Sequence, residues 1–293
     1  MHKFRPPYMI VGAKGMLGTD LVARLRELGF ETVALDMEEI DITRLDSVRD
    51  AICRFRPGLV VNAAALTDVD RCESTPDTAF SVNGLGPGNL AEACRDTRAF
   101  LVHLSTDYVF NGTKSEPYRE DDPMDPLGVY GKSKAQGEVL IRKALPGDHL
   151  IVRTQWLYGE HGKNFVETIL RLARQRDTLS VVNDQWGSPT HTVDLCEGLI
   201  GLIHAGAGGT FHLTNSGVTS WHGFARTIIE SAGIRGVTVA AVSTEEFGRP
   251  APRPAYSALD NSRFVETVGT PLPPWEEALA LYLNKRSARE ARE

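Results

Sequence analysis

Short apolar runs alternate with longer stretches of helical periodicity through the first half of the chain. "YMIVG" (8–12) reads as a strand that stops at glycine, after which Leu17, Leu21, Leu25 and Leu28 recur at helical spacing until Gly29. "ETVALD" (31–36) is a second strand, and "GLVVNAAA" (58–65) a third after a helix over 43–56. "FLVHLSTDYVF" (100–110) and "HLIVRT" (149–154) continue the series. Near-continuous apolar runs, as opposed to strict alternation, mark strands covered on both faces. A β-α-β-α order of such strands predicts a parallel sheet flanked by helices, a Rossmann-like doubly wound α/β fold.

Beyond Thr154 the rhythm loosens. The spacing predicts helices over 164–176 and 191–204, a strand at "GTFHLT" (209–214), and a helix from an Ser220 N-cap to about Ser231. "RPAPRPAYS" (249–257) and "GTPLPP" (269–274) are proline-rich loops, and the charged "KRSAREARE" end is expected to fray. Residues 1–154 are therefore expected to form the sheet domain, with a later return around 179–214. Residues 155–293 would mainly build a smaller α/β substrate-binding domain.

Composition narrows the function classes. Apolar residues make up 42% and charged residues 24% of the 293, as in ordinary globular chains, and the formal charge of −6 argues against nucleic acid or anionic lipid as main partner. The four cysteines (Cys53, Cys72, Cys94, Cys196) fit no C-x-x-C or zinc template and are expected as reduced thiols. No run approaches the ~18–20 apolar residues of a membrane span, and the four-residue apolar run near the start is too short for a secretory signal. A cytoplasmic address is the expectation.

Chemistry enters with "VGAKGMLGTDL". Gly12, Gly15 and Gly18 follow the first strand and open a helix, so the backbone around Met16 and Leu17 can approach a pyrophosphate that the helix N-terminus favours. Asp36 ends the second strand eighteen residues after Gly18, where a carboxylate would accept hydrogen bonds from an adenosine ribose. Met37, Glu38, Glu39, Ile40 and Asp41 follow it, without a cation for a 2′-phosphate, which tilts the expectation towards NADH over NADPH. Asp41 and Ile42 are expected to flank the adenine, or Asp41 is an exposed acid before a helix capped by Thr43.

"GVYGKSKAQGE" places Tyr130 four residues before Lys134, on one face of a helix. A phenol of ordinary pKa ~10 beside an ammonium is stabilised as phenolate and becomes a better general acid. "LSTDYVF" ends a strand with Ser105, Thr106 and Asp107 at the carboxyl edge, where open parallel sheets bind ligands. A Thr106 hydroxyl there could hydrogen-bond a substrate carbonyl while Tyr130 protonates it.

The glycine loop, Asp36, the STD edge and the YGKSK helix, in this order, resemble the extended short-chain dehydrogenase/reductase family. "VNAAALTDVDRCE", "HLSTDYVFNG", "YGKSKAQGE", "VRTQWLYG" and "NDQWGSPT" resemble the motif series of its dTDP-4-dehydrorhamnose reductase branch, over about residues 8 to 285. The resemblance implies reduction of the 4-keto group of a dTDP-sugar by NADH or NADPH. Tyr130, Lys134 and Thr106 would be catalytic, and Lys134 would hold the nicotinamide ribose and depress the tyrosine pKa. Ala64 and Ala65 would pass alongside the cofactor. Thr106, Asp107, Tyr108, Val69, Trp156 and Arg253 would contact the sugar nucleotide. Some members join two subunits through Mg²⁺, but the aligned positions fall on Asp20, Val193 and near Lys285. A valine cannot ligate a hard cation, so no metal is expected and a homodimer stays open. An epimerase or dehydratase, another sugar-nucleotide reductase, and a non-enzymatic subunit such as the partner of methionine adenosyltransferase are the alternatives.

Overall fold

The computed structural model describes residues 4–290. Its centre is a six-stranded sheet of β1 (Tyr8–Val11), β2 (Thr32–Leu35), β3 (Leu59–Asn62), β4 (Phe100–Thr106), β5 (His149–Thr154) and β10 (Gly209–His212), all parallel, in the order β10-β5-β4-β3-β1-β2. The chain leaves β1 for β2 on one side and then crosses to β3 on the other. This reversal opens a crevice at the carboxyl ends of β1 and β3, the usual ligand position in such sheets.

Helices cover both faces, as the apolar runs require. Tyr8, Ile10, Leu59, Val61 and Val102 point to one side, into a core with α1 (Met16–Glu27), α8 (Thr192–Ala205) and α11 (Ser262–Val268). Met9, Val11, Val60, Leu101 and Ile151 point to the other and meet α2 (Leu45–Phe55), α5 (Gly86–Thr97) and α6 (Val129–Ala144). Between β3 and α5 lie α3 (Val69–Ser74), α4 (Pro76–Ala79) and a π-helical turn, Phe80–Leu85.

The rest builds a second lobe around Tyr158, Val166, Ile169, Phe224, Ile228, Trp275 and Tyr282. Its helices are α7 (Phe165–Ala173), α9 (Trp221–Ser231), α10 (Thr244–Phe247) and α12 (Trp275–Glu290). Strand β7 (Thr178–Val182) pairs with β12 (Thr238–Val242), β6 (Leu157–Tyr158) with β9 (Thr190–His191), and β8 (Trp186–Gly187) with β11 (Thr219–Ser220). The return to the central sheet thus begins later than residue 179. The later elements α8, β10 and α11 rejoin it, whereas β7 finds its partner in β12.

Several boundaries match the sequence closely. Ser220 caps α9 by accepting from the Gly223 amide, and β5 spans all of "HLIVRT". Others do not. The run "FLVHLSTDYVF" leaves the strand at Thr106, where its hydroxyl caps a single 3₁₀ turn by accepting from the Tyr108 amide. The helix after Thr43 takes Arg44 as its N-cap, while Thr43 bonds back to Asp41. The charged end is helical through Glu290, so fraying does not begin at Lys285; the final three residues lie outside the described part. All four cysteines are free thiols, three of them buried. Among the described residues no helix is long and apolar enough to cross a membrane.

Candidate active site

Gly12 leaves β1 with φ +81°, a backbone state that side chains strain, and a Cβ there would lie 2.6 Å from the Ala64 amide. A Cβ on Gly18 would lie 2.1 Å from the Gly12 carbonyl, so that glycine lets α1 close on the loop. Gly15 is the N-cap of α1 and offers no side chain, and no acid sits in the first turn. The amides of Met16 and Leu17 open this uncapped end, although the Leu17 side chain itself packs in the core. The cradle fits an anion in contact with backbone.

Beside it is a cavity of about 610 Å³ lined by Gly12, Gly15, Asp36, Asp41, Ile42, Ala64 and Ala65 among others, so these seven expected residues meet. The Asp36 carboxylate accepts from the Lys14 and Met37 amides, which fixes it at the rim. Asp41 lines the cavity while accepting from the Thr43 amide and hydroxyl. One expectation needs correction. A cation does stand close by, because Lys14 in the glycine loop ion-pairs with Glu38. Inspection of the residues following Asp36 missed it, since Lys14 is 22 positions upstream.

At the carboxyl end of β4 the Thr106 hydroxyl donates to Asp107 Oδ1 (2.9 Å). Asp107 Oδ2 is buried without a partner, and burial pushes this carboxyl up to about 6 against the opposing effect of the Ser257 and Thr106 hydroxyls. Tyr130 stands edge-on to Tyr108, with ring centroids 5.6 Å apart, and both line a small cavity with Val69. Burial raises the Tyr130 phenol above its ordinary value, and the nearby Thr106 hydroxyl offsets part of this.

Lys134 lies one turn on, but it does not lower the tyrosine pKa in this state. Its Nζ donates to the Leu104 carbonyl (2.6 Å) and lies 3.3 Å from His103 Nε2, so its side chain is drawn to β4. Burial pushes Lys134 down to about 8, against the opposing charge of Glu138. Helix spacing correctly put the two residues on one face. It could not show that the lysine tip has closer partners across the helix–sheet packing.

A second cavity of about 440 Å³ opens from Val69 and Tyr108 towards the second lobe, lined by Phe165, Trp221, Arg249 and Arg253 among others. Arg253 and Arg249 both reach Asp70 of α3, at 3.0 and 3.3 Å. Trp156 does not line this cavity itself. It holds φ +49° and stacks on Trp221 at 3.7 Å, so it backs the wall that Trp221 presents. Trp221, Phe165, Arg249, Asp70, Asn62 and His103 were absent from the sequence reading. Only the last two left a signal, as polar residues inside apolar strand runs.

A sequence model of the family described as "RmlD substrate binding domain" matches residues 7–288. The chain is 46% identical over 280 residues to the spore coat polysaccharide biosynthesis protein SpsK of Bacillus subtilis (strain 168), across 96% of this chain and 98% of that protein. It is 44% identical over 280 residues to the dTDP-4-dehydrorhamnose reductase of Streptomyces griseus, across 94% and 92%. The fold resembles the crystal structure of dTDP-4-dehydrorhamnose reductase from Bacillus anthracis str. Ames in complex with NADP. There the TM-score is 0.92 and the identity 39%, with 95% and 98% of the two chains covered.

Proposed function

This chain belongs to the RmlD substrate binding domain family, and from that membership we propose that it reduces the 4-keto group of dTDP-4-dehydro-L-rhamnose to dTDP-L-rhamnose in dTDP-rhamnose biosynthesis. The observation that carries the reading is the meeting of Tyr130, Thr106 and the unpartnered Asp107 Oδ2 at the carboxyl end of β4, where Tyr130 shares a small cavity with Val69 and Tyr108. A reduced nicotinamide, NADH or NADPH, supplies the hydride when bound. The relative solved with NADP supports that cofactor class, and the Gly12 cradle, the uncapped α1 end and Asp36 suit a dinucleotide. Asp36 and Glu38, set against Lys14, leave a slight preference for NADH.

Tyr130 would deliver its phenolic proton to the ketone oxygen as C4 becomes tetrahedral. Its raised pKa keeps the proton on the phenol until charge develops on that oxygen. Thr106 would hydrogen-bond the same oxygen and polarise the carbonyl. Asp107 Oδ2 has a free acceptor position for a sugar hydroxyl. Lys134 would turn to the nicotinamide ribose. Val69, Tyr108 and the Trp156–Trp221 stack would bound the sugar, and Arg253 would take the diphosphate in exchange for Asp70. No structural magnesium is assigned: Asp20 accepts from the Thr192 hydroxyl, and Val193 offers no oxygen donor.

The test is incubation with dTDP-4-dehydrorhamnose and NADH or NADPH while the absorbance of the reduced cofactor is followed. One cofactor should be oxidised per dTDP-L-rhamnose formed. Tightly retained NAD with no net consumption would instead mark an epimerase or dehydratase cycle.

A further inference from the structure

A chain of buried polar groups runs from the cofactor crevice to Lys134. The Ala64 amide donates to Asn62 Oδ1 (3.1 Å), and Asn62 Nδ2 lies 3.0 Å from His103 Nδ1. His103 Nε2 in turn lies 3.3 Å from Lys134 Nζ. A backbone N–H is a donor that cannot reverse, so it sets the polarity of every contact after it. Asn62 must present its oxygen to Ala64 and its NH₂ to His103. His103 Nδ1 must then accept, which leaves the ring proton on Nε2, pointing at Lys134. Only an amine nitrogen with a lone pair can accept there; an ammonium would oppose donor to donor. The amine still has a hydrogen to give the Leu104 carbonyl.

We propose that His103 is a positioning residue: its Nε2–H holds Lys134 as a neutral amine on β4 until cofactor binding draws the side chain away, with uptake of one proton from solvent. This rests on the reading above that the crevice takes a nicotinamide cofactor. The other groups near Lys134 do not undo the arrangement. Glu138 is the nearby carboxylate on α6, and its charge is matched by Arg153 (2.8 Å) and Arg142 (2.6 Å). Tyr130 on the same helix keeps its proton, and burial holds His103 neutral. His103 and Lys134 are both sealed from water, at 0% and 2% exposure, so solvent cannot reconcile two opposed donors.

Two measurements test this. Nitrogen-15 NMR of the ligand-free protein, with His103 assigned by substitution, should show a protonated Nε2 and a bare Nδ1 above pH 8, where the amine dominates. A proton on Nδ1 would overturn the proposal whatever the cofactor does. NADH binding should then be followed by fluorescence from pH 7 to 9.5, with calorimetry in two buffers of different ionisation enthalpy. Affinity should fall by up to about tenfold per pH unit once the amine dominates, with proton uptake approaching one. His103→Phe removes the opposing N–H, and Asn62→Asp reverses the ring tautomer; each should move the onset to higher pH. Binding without proton uptake, or an onset unmoved in both variants, refutes the idea. Failure of NADH to bind at all would sink the functional reading instead, and the tautomer would still be decided by NMR.

Discussion

Gly12 shows how closely a single residue can be constrained. Its φ of +81° disfavours a side chain, and the Ala64 backbone occupies the space that a Cβ would need. Gly12→Ala should lower stability by about 1–3 kcal/mol through backbone strain and weaken NADH binding at least about tenfold. Chemical unfolding and cofactor titration check the two effects separately. Tyr130 has a different kind of constraint, because its hydroxyl is chemically active and its ring is mostly packing. Tyr130→Phe keeps the edge-on contact with Tyr108 and should leave folding and NADH binding near normal. Its kcat should fall about 10²–10⁴-fold, the usual size of general-acid catalysis. Near-normal turnover would remove Tyr130 from the mechanism.

Helix α6 carries both Tyr130 and Lys134, yet its first turn is not capped from its own sequence. Gly128 is the N-cap and supplies no side chain, and Glu73 of α3 accepts from the Val129 amide at 2.7 Å. The same short helix presents Asp70 to Arg253 and Arg249. One element therefore touches both Arg253 and Arg249 and the start of the helix that carries Tyr130. Glu73→Ala should cost about 1 kcal/mol, as loss of a cap does, and Glu73→Gln should recover part of it. Urea midpoints of the three proteins measure this. Equal stability of Glu73→Ala and the parent would mean that water caps the helix equally well.

At the scale of the whole molecule, the helices on both faces leave charged and polar groups sealed beneath the sheet edge. Arg153, 1% exposed, grips Glu138 through two hydrogen bonds, and its Nη1 lies 3.3 Å from His212 Nε2. Burial first, and the Arg153 charge second, push His212 down to about 3. The folded protein thus refuses a proton that the unfolded chain accepts near pH 6.5. This contribution to stability is complete above pH 6.5 and declines as pH falls, by about 1.4 kcal/mol per unit, until about pH 3. The difference in unfolding free energy between the parent and His212→Gln should shrink at that rate between pH 6 and 4. A difference independent of pH would show that His212 is not held neutral.

The sequence alone settled what depends on neighbours along the chain. Apolar runs of four to seven residues required a two-sided sheet, Ser220 announced a helix, and the glycine spacing placed a tight turn and an uncapped helix start after β1. Spacing of four put Tyr130 and Lys134 on one helical face. What came from distant segments could not be read this way. Lys14 reaches the Asp36 rim through a loop, Trp221 meets Trp156 from another lobe, and Asn62 joins His103 across two paired strands. A side chain's protonation depends on the burial and polarity around its tip, and packing brings those partners together from anywhere in the chain. The presence of a phenol and a lysine was therefore fixed by sequence, while the charge each carries was decided only by the fold.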